Sequence, residues 1–331
     1  MLKRYLRPLI LTLLLLYVGI TYIISGMIIE PPERRTTDRS AEILQEVWSI
    51  DLDSIEARLP EPEQVEIESQ DGLALFGFHI SSPSKQSSPL PSGEPEGEEK
   101  ANCMIIFAHG YSDNHSGTFK YSQLFDACQC DMLMINHRGH GLSEGELVTG
   151  GVLEALDFRR WHAYAMKRTG LPASKIGWVG ESWGAATILE AASGIDEPPA
   201  FVLAESPYSS WHNAISERAV RSYGSWIQFF YPGAYLWCRL RTGEWVSDAD
   251  ALSAVEELEA PTIIFHSKAD PDTHYTQSQE IYDAIPESTP SELHLLDWGS
   301  HHVHSVYDRP EAYRELFLAF LSEEVPIFCE E

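Results

Sequence analysis

The sequence predicts an α/β protein: a mostly parallel central sheet with helices on both faces. Three observations lead there. Continuous apolar runs at 103–108, 132–135, 176–179, 201–204, 262–265 and 293–296 recur about every 30 to 60 residues. Such runs suit strands buried on both faces. Most of the segments between them carry helical spacing, as at 153–166 and 185–192, and alternation of the two is the pattern of a helix-covered parallel sheet. The composition agrees, with 44% hydrophobic and 22% charged residues in a chain of 331. That excludes disorder or a collagen-like rod for the bulk of the chain. No internal repeat is visible.

Taken in order, the chain opens with three basic residues, Lys3, Arg4 and Arg7, and then runs without charge from Pro8 to Ile29. The 21 positions from 9 to 29, almost wholly apolar, are long enough, at about 1.5 Å each, to cross a hydrocarbon core of roughly 30 Å. The run exceeds the usual 7–15 residues of a cleaved signal, and no A-x-A site follows it. Residues 1–30 are therefore expected to be an uncleaved transmembrane signal anchor. The positive-inside rule leaves the amino terminus in the cytoplasm, since Glu30, Glu33 and Asp38 dilute the basic residues after the run. This predicts a single-pass membrane protein with its main domain periplasmic or extracellular.

Residues 31–61 read as a stalk and entry segment, with a short amphipathic helix at 41–48. A main domain is expected over 62–325. It begins with strands at 65–68 and 73–80 joined by the Gln70-Asp71-Gly72 turn. Residues 81–100, rich in Ser, Pro, Gly and Glu, form a flexible solvated insertion.

Charge narrows the function. With 23 basic against 50 acidic residues, the net charge is −27. No basic surface can grip a phosphate backbone against that background, so no nucleic acid is expected as a partner. Without Lys3, Arg4 and Arg7 the balance is 20 basic to 50 acidic, a net −30. Anionic headgroups repel such a domain, so the helix must hold it at the membrane. Five scattered cysteines do not make a disulfide scaffold. Cys128 and Cys130 stand too close to pair easily with each other, and the odd total leaves at least one thiol free or paired between chains. No CxxC pair suggests zinc, and neither a metal nor a cofactor is expected.

The chemistry starts at Gly180-Glu181-Ser182-Trp183-Gly184, where an apolar strand meets a small-residue helix. A serine thrust out on a sharp strand-to-helix turn needs small neighbours two residues either side, because side chains there would collide. The helix that follows aims its first N–H groups at a developing oxyanion. Such a serine needs a base held by an acid. PTIIFHSKAD ends at Asp270, with Asp272 as the weaker competitor, and ELHLLDWGS runs into His301, His302 and His304, one of which is the base. For the oxyanion, Trp183 supplies one backbone N–H. Tyr111, after His109-Gly110 in CMIIFAHGYSDNHSG, supplies the other.

These pieces, His109-Gly110-Tyr111, NHRGHGLSEG at 136–145, GESWG, HSKAD and the histidine loop, stand in an order that resembles the α/β-hydrolase superfamily. The resemblance covers about 62–322 and is nearest to membrane-anchored Bem46-like and monoacylglycerol-lipase-like serine hydrolases. It implies an α/β-hydrolase fold with Ser182, Asp270 and His302 as the catalytic set, because His302-Val303-His304-Ser305 fits the family's H-x-x-S at the final helix. Asn136 replaces the usual aspartate of the D-x-R-G-x-G-x-S turn. A serine at the elbow sets the chain apart from the epoxide hydrolases and dehalogenases of this fold, which use aspartate.

The family inserts its lid between the strands at 201–204 and 262–265, here residues 208–258. Ten of the 39 residues from Tyr208 to Val246 are aromatic, against 11% for the chain. Such rings pack a lid onto its core; they also suit an apolar acyl pocket, with Trp226, Phe229 and Phe230 as substrate-binding residues near the bilayer interface. The expected function is a membrane-anchored serine hydrolase (carboxylesterase- or lipase-like) cleaving esters of apolar acyl groups through an acyl-enzyme, with a small acyl compound as partner. A thioesterase or peptidase with the same triad is one alternative. For an aminopeptidase, Glu181 and Glu205 are the acids to consider as an amine anchor. A non-catalytic binding protein on this fold is the other alternative.

Overall fold

The computed structural model describes residues 2–31, 42, 45, 59–82, 101–299 and 301–329. Apart from residues 42 and 45, the expected helix at 41–48 lies outside the described residues, as do most of the insertion at 81–100 and the side chains of Lys3 and Arg4.

Eight strands form one sheet: β1 (Glu63–Glu68), β2 (Ala74–Ile80), β3 (Met104–Ala108), β4 (Asp131–Ile135), β5 (Ile176–Glu181), β6 (Phe201–Glu205), β7 (Thr262–Ser267) and β8 (Ser291–Leu296). Their order is β1-β2-β4-β3-β5-β6-β7-β8. The first two strands are antiparallel to each other, and β2 is antiparallel to β4. Every pairing from β4 to β8 is parallel. The central strands β3 to β7 are buried along their whole length, which explains their unbroken apolar runs. In β1 burial is confined mainly to one side, giving the alternation of an edge.

The sheet has a core on each face. One contains Met104, Ile106, Trp178 and Ile188, and gathers α2 (Val152–Thr169) and α3 (Trp183–Ala192). The other contains Ile105, Phe107, Phe201 and Phe317, with a 3-10 helix at His115–Phe125 in place of a regular helix between β3 and β4.

The segment between β6 and β7 folds as α4 (Trp211–Tyr223), a 3-10 turn at Ser225–Phe230, α5 (Tyr231–Thr242) and the short α6 (Ala251–Ala254). Beyond β7 come α7 (Thr276–Ala284), α8 (Ser305–Asp308) and α9 (Pro310–Glu324).

The apolar amino-terminal segment is one helix, α1 (Leu2–Ile29), long and apolar enough to cross a membrane. Its second half lies along α5. Tyr17 stacks on Phe230 and meets Phe229 edge-on, and Tyr22 meets Trp237 edge-on. Arg241 pairs with Glu30. The end of α1 enters the body of the protein: Ile28 and Ile29 are buried with the core, and the Val148 amide donates to the Ile29 carbonyl at 2.8 Å.

Cys103 bonds to Cys130 and Cys128 to Cys329, while Cys238 is a buried free thiol. Cys128 and Cys130 thus pair with distant partners rather than with each other. Four of five cysteines being bonded revises the picture of scattered thiols. The partners approach because Cys130 leads into β4 beside the start of β3, and the carboxyl-terminal segment returns to the same end of the sheet.

Candidate active site

Ser182 sits between β5 and α3 with φ 52° and ψ −116°. The left-handed φ turns the side chain out of the sheet, and its tight neighbours are glycines. A β-carbon on Gly180 would stand 2.7 Å from the Gly184 carbonyl oxygen. One on Gly184 would strike the carbonyl oxygens of Ala108 and His109. Backbone oxygens cannot swing aside, so the glycine spacing lets β3, β5 and α3 meet at the serine.

His302 faces Ser182 across the sheet's carboxyl end. Its Nε2 lies 2.6 Å from Ser182 Oγ, and its Nδ1 lies 2.7 Å from Asp270 Oδ2. Asp270 follows β7 and is buried; its Oδ1 accepts the amides of Asp272 at 2.8 Å and Thr273 at 3.1 Å. Burial opposes charge on Asp270. Hydrogen bonds from His266 and His302, with the His302 charge, outweigh it and hold the carboxyl far below its usual range. Burial likewise opposes the imidazolium of His302, but the hydrogen bond and charge of Asp270 raise its pKa above the ordinary value.

The competing residues make other pairs. Asp272, which also lines the cavity over Ser182 described below, faces Arg221 at 3.3 Å. His304 Nδ1 lies 2.9 Å from Asp308 Oδ1, and His301 is exposed with its ring edge-on to His304.

Trp183 is the first residue of α3, so its N–H has no carbonyl four residues back within the helix. Tyr111 follows Gly110, which is close enough to Ser182 that a β-carbon there would lie 3.5 Å from Ser182 Cβ. His109, His137 and His140 pack around the Trp183 ring. Burial pushes the His109 pKa down to about 3, so it stays neutral; its Nε2 accepts the His137 amide at 3.1 Å.

Behind the serine lies a buried polar network that sequence reasoning missed. Lys120 is ion-paired with Glu181. Lys120 Nζ also donates to the Val303 carbonyl at 3.0 Å, and Glu205 Oε1 accepts the Ser305 amide at 3.0 Å. Tyr121 and Tyr313 donate to Glu205 Oε2 at 2.7 and 3.2 Å. The network holds the loop immediately after His302, at Val303 and Ser305. No spacing rule singles out a lysine in the 3-10 segment, so only the fold reveals it.

A cavity of about 570 Å³ opens over Ser182 and His302. Trp211, Ile215 and Ala219 of α4 line it, with Ile227, Tyr231 and Tyr111. Among the expected substrate-binding residues, Trp226 and Phe229 are exposed and Phe230 packs on Tyr17; none of the three lines the cavity. The 3-10 turn explains this: positions three apart eclipse, so Trp226 and Phe229 share the outer side while Ile227 turns inward. A second cavity, of about 600 Å³, is lined by Asp71, Arg138 and Arg241 and contains none of the expected site residues.

Comparison with known proteins agrees with this architecture. A family model described as the alpha/beta hydrolase fold matches residues 104–232. The chain is 27% identical to the uncharacterized protein YqkD of Bacillus subtilis over 258 residues, 77% of each chain. It is 25% identical to the uncharacterized protein YfhR of Escherichia coli K12 over 267 residues, 79% of this chain and 82% of that one. Among solved structures, an esterase of Pyrococcus furiosus superposes with a TM-score of 0.64 at 18% identity, covering 90% of this chain and 98% of that one. An acylaminoacyl peptidase of Pyrococcus horikoshii gives 0.59 at 19% identity, over 84% of this chain and 44% of that one. Sheet order, the strand-to-helix turn at Ser182 and these matches show that the chain has the α/β-hydrolase fold.

Proposed function

We propose that this protein is a membrane-anchored serine hydrolase that cleaves carboxylic esters of apolar acyl groups. The observation that carries the reading is the unbroken hydrogen-bonded line from Ser182 through His302 to Asp270. In this reading His302 Nε2 takes the Ser182 proton as Oγ attacks the ester carbonyl, and Asp270 holds the ring and balances the imidazolium. The N–H groups of Tyr111 and Trp183 bind the oxyanion. His302 then gives the proton to the leaving alcohol, and water repeats the sequence on the acyl-enzyme.

Esters are favoured over amino-terminal peptide substrates because both candidate acids are already engaged. Glu181 is paired with Lys120, and Glu205 is bound by Tyr121, Tyr313 and the Ser305 amide. Neither is left to hold a substrate ammonium.

The test uses the full chain in detergent, because α1 is packed into the protein. A fluorophosphonate probe is expected to form an adduct mapped by mass spectrometry to Ser182, with none in Ser182→Ala. A folded wild-type protein that takes no label sinks the enzyme reading and leaves a binding protein on a hydrolase fold.

A further inference from the structure

The anchor helix lines the Ser182 cavity itself. Ile24, Met27 and Ile28 of α1 form part of the wall that α4 and Ile227 complete. The helix has two distinct halves. Residues 5–16 are exposed all around, whereas Tyr17, Thr21, Ile24, Ser25 and Ile28 make one stripe turned toward the protein. Val18, Ile20, Tyr22, Ile23 and Met27 remain outside.

Residues 5–16 alone span about 18 Å, well short of a hydrocarbon core of roughly 30 Å. If α1 crosses a bilayer, its second half must also lie within the apolar layer, and the lid packed on that half goes with it. The lid surface suits such immersion. Trp226, Phe229, Leu236 and Leu240 are all exposed, Phe229 at 70%, and Phe229 touches Tyr17. Met27 is 60% exposed and still lines the cavity, and so does the exposed Tyr223. Met27 and Tyr223 thus give the cavity an exposed apolar side, while Arg221 and Asp272, which also line it, form a polar one.

We infer that α1 is a substrate-binding element as well as an anchor, and that the cavity takes the hydrocarbon chain of a single-chain membrane amphiphile, a fatty-acyl ester, entering from the bilayer between Met27 and Ile227. This rests on the hydrolase reading for its chemistry and on the membrane-anchored reading for its route, but the binding step needs no turnover.

The experiment separates the two. Full-length Ser182→Ala protein, which cannot turn over an ester, is reconstituted in phosphatidylcholine vesicles with a monoacylglycerol analogue carrying a diazirine near the end of its chain. After illumination, adducts are expected both on residues 24–28 and on residues 215–227. Met27→Trp, which fills the mouth, is expected to cut the 215–227 adduct at least fivefold. In the active protein the same substitution should lower the ratio of kcat/KM for decanoyl over acetyl p-nitrophenyl esters at least tenfold. If Met27→Trp does not fold, Ile24→Ala serves in its place, with the same direction expected.

Adducts confined to residues 5–16, or a chain-length ratio that the variants leave alone, overturn the inference. Absent photo-adducts alongside fluorophosphonate labelling of Ser182 reject the bilayer route and leave the hydrolase reading standing. Photo-adducts at both segments without labelling support the binding site while rejecting the hydrolysis.

Discussion

At Ser182 the main chain holds a conformation that costs an L-residue about 1–3 kcal/mol, so the surrounding packing must enforce it. The enforcement comes from Gly184, pressed against the carbonyl oxygens of Ala108 and His109. Gly184→Ala is expected to destabilise the protein by roughly 2 kcal/mol or more, read as a lower midpoint in urea unfolding. A midpoint equal to wild type would mean that β3 and α3 yield. The electrostatics of His302 give a second expectation. Its pKa lies above the ordinary 6.5, and only the neutral ring accepts the serine proton. Ester kcat/KM should therefore rise with pH through a midpoint above 6.5. Asp270→Asn removes the raising charge and leaves burial, which lowers the pKa. Its midpoint should fall below the wild-type value while kcat drops roughly 10⁴-fold. A midpoint unmoved in Asp270→Asn would assign the limb to another group.

Between elements, the seam of α1 and α5 depends on small residues. A β-carbon on Gly233 would press into Thr21 and Tyr17, so the two helices approach closely there, as small residues permit in membrane helix pairs. Cys238, five residues on, reports on the seam. It is buried, its Sγ lies 3.9 Å from the Ser25 carbonyl, and burial pushes its pKa up to about 12. Gly233→Leu is expected to lift α1 away and raise the rate of Cys238 alkylation by N-ethylmaleimide at least tenfold. An unchanged rate would show that the seam tolerates the added bulk. This seam also marks where sequence reading stops. All eight strands were legible because a strand's period and burial are written in consecutive residues. Ser182, Asp270 and His302, drawn from three segments, are brought together because each ends or follows a strand at the sheet's carboxyl edge. The partners of the lid rings were not legible. Phe229 and Phe230 meet Tyr17 across more than 200 residues of chain, and aromatic content names no partner. The Lys120–Glu181 pair was hidden for the same reason.

Across the whole molecule, charge, cysteine state and anchor make one joint demand. The segment after α1 carries a net charge of −30, and two disulfides tie β3, β4 and the carboxyl-terminal segment together. Disulfides persist in oxidising compartments. Lys3, Arg4 and Arg7 bias the amino terminus toward the cytoplasm, and in the membrane-anchored reading proposed above that bias corresponds to a folded domain on the opposite, oxidising side. In that reading the basic residues and the disulfides are physically independent arguments for one topology, which the thiol state tests. The Cys128–Cys329 bond, spanning 201 residues of sequence, closes the longer loop and should contribute about 2–4 kcal/mol. Protein extracted from membranes into acid, denatured and treated with a maleimide is therefore expected to react at one cysteine, Cys238, and at all five after reduction. Cys128→Ser should expose Cys329 to the reagent and leave Cys103 and Cys130 protected. Five reactive thiols without reductant would place the domain in a reducing compartment and reverse the orientation of α1. In the proposed reading the same lid and cavity would then face the cytoplasmic leaflet, and that leaflet would be the source of the ester.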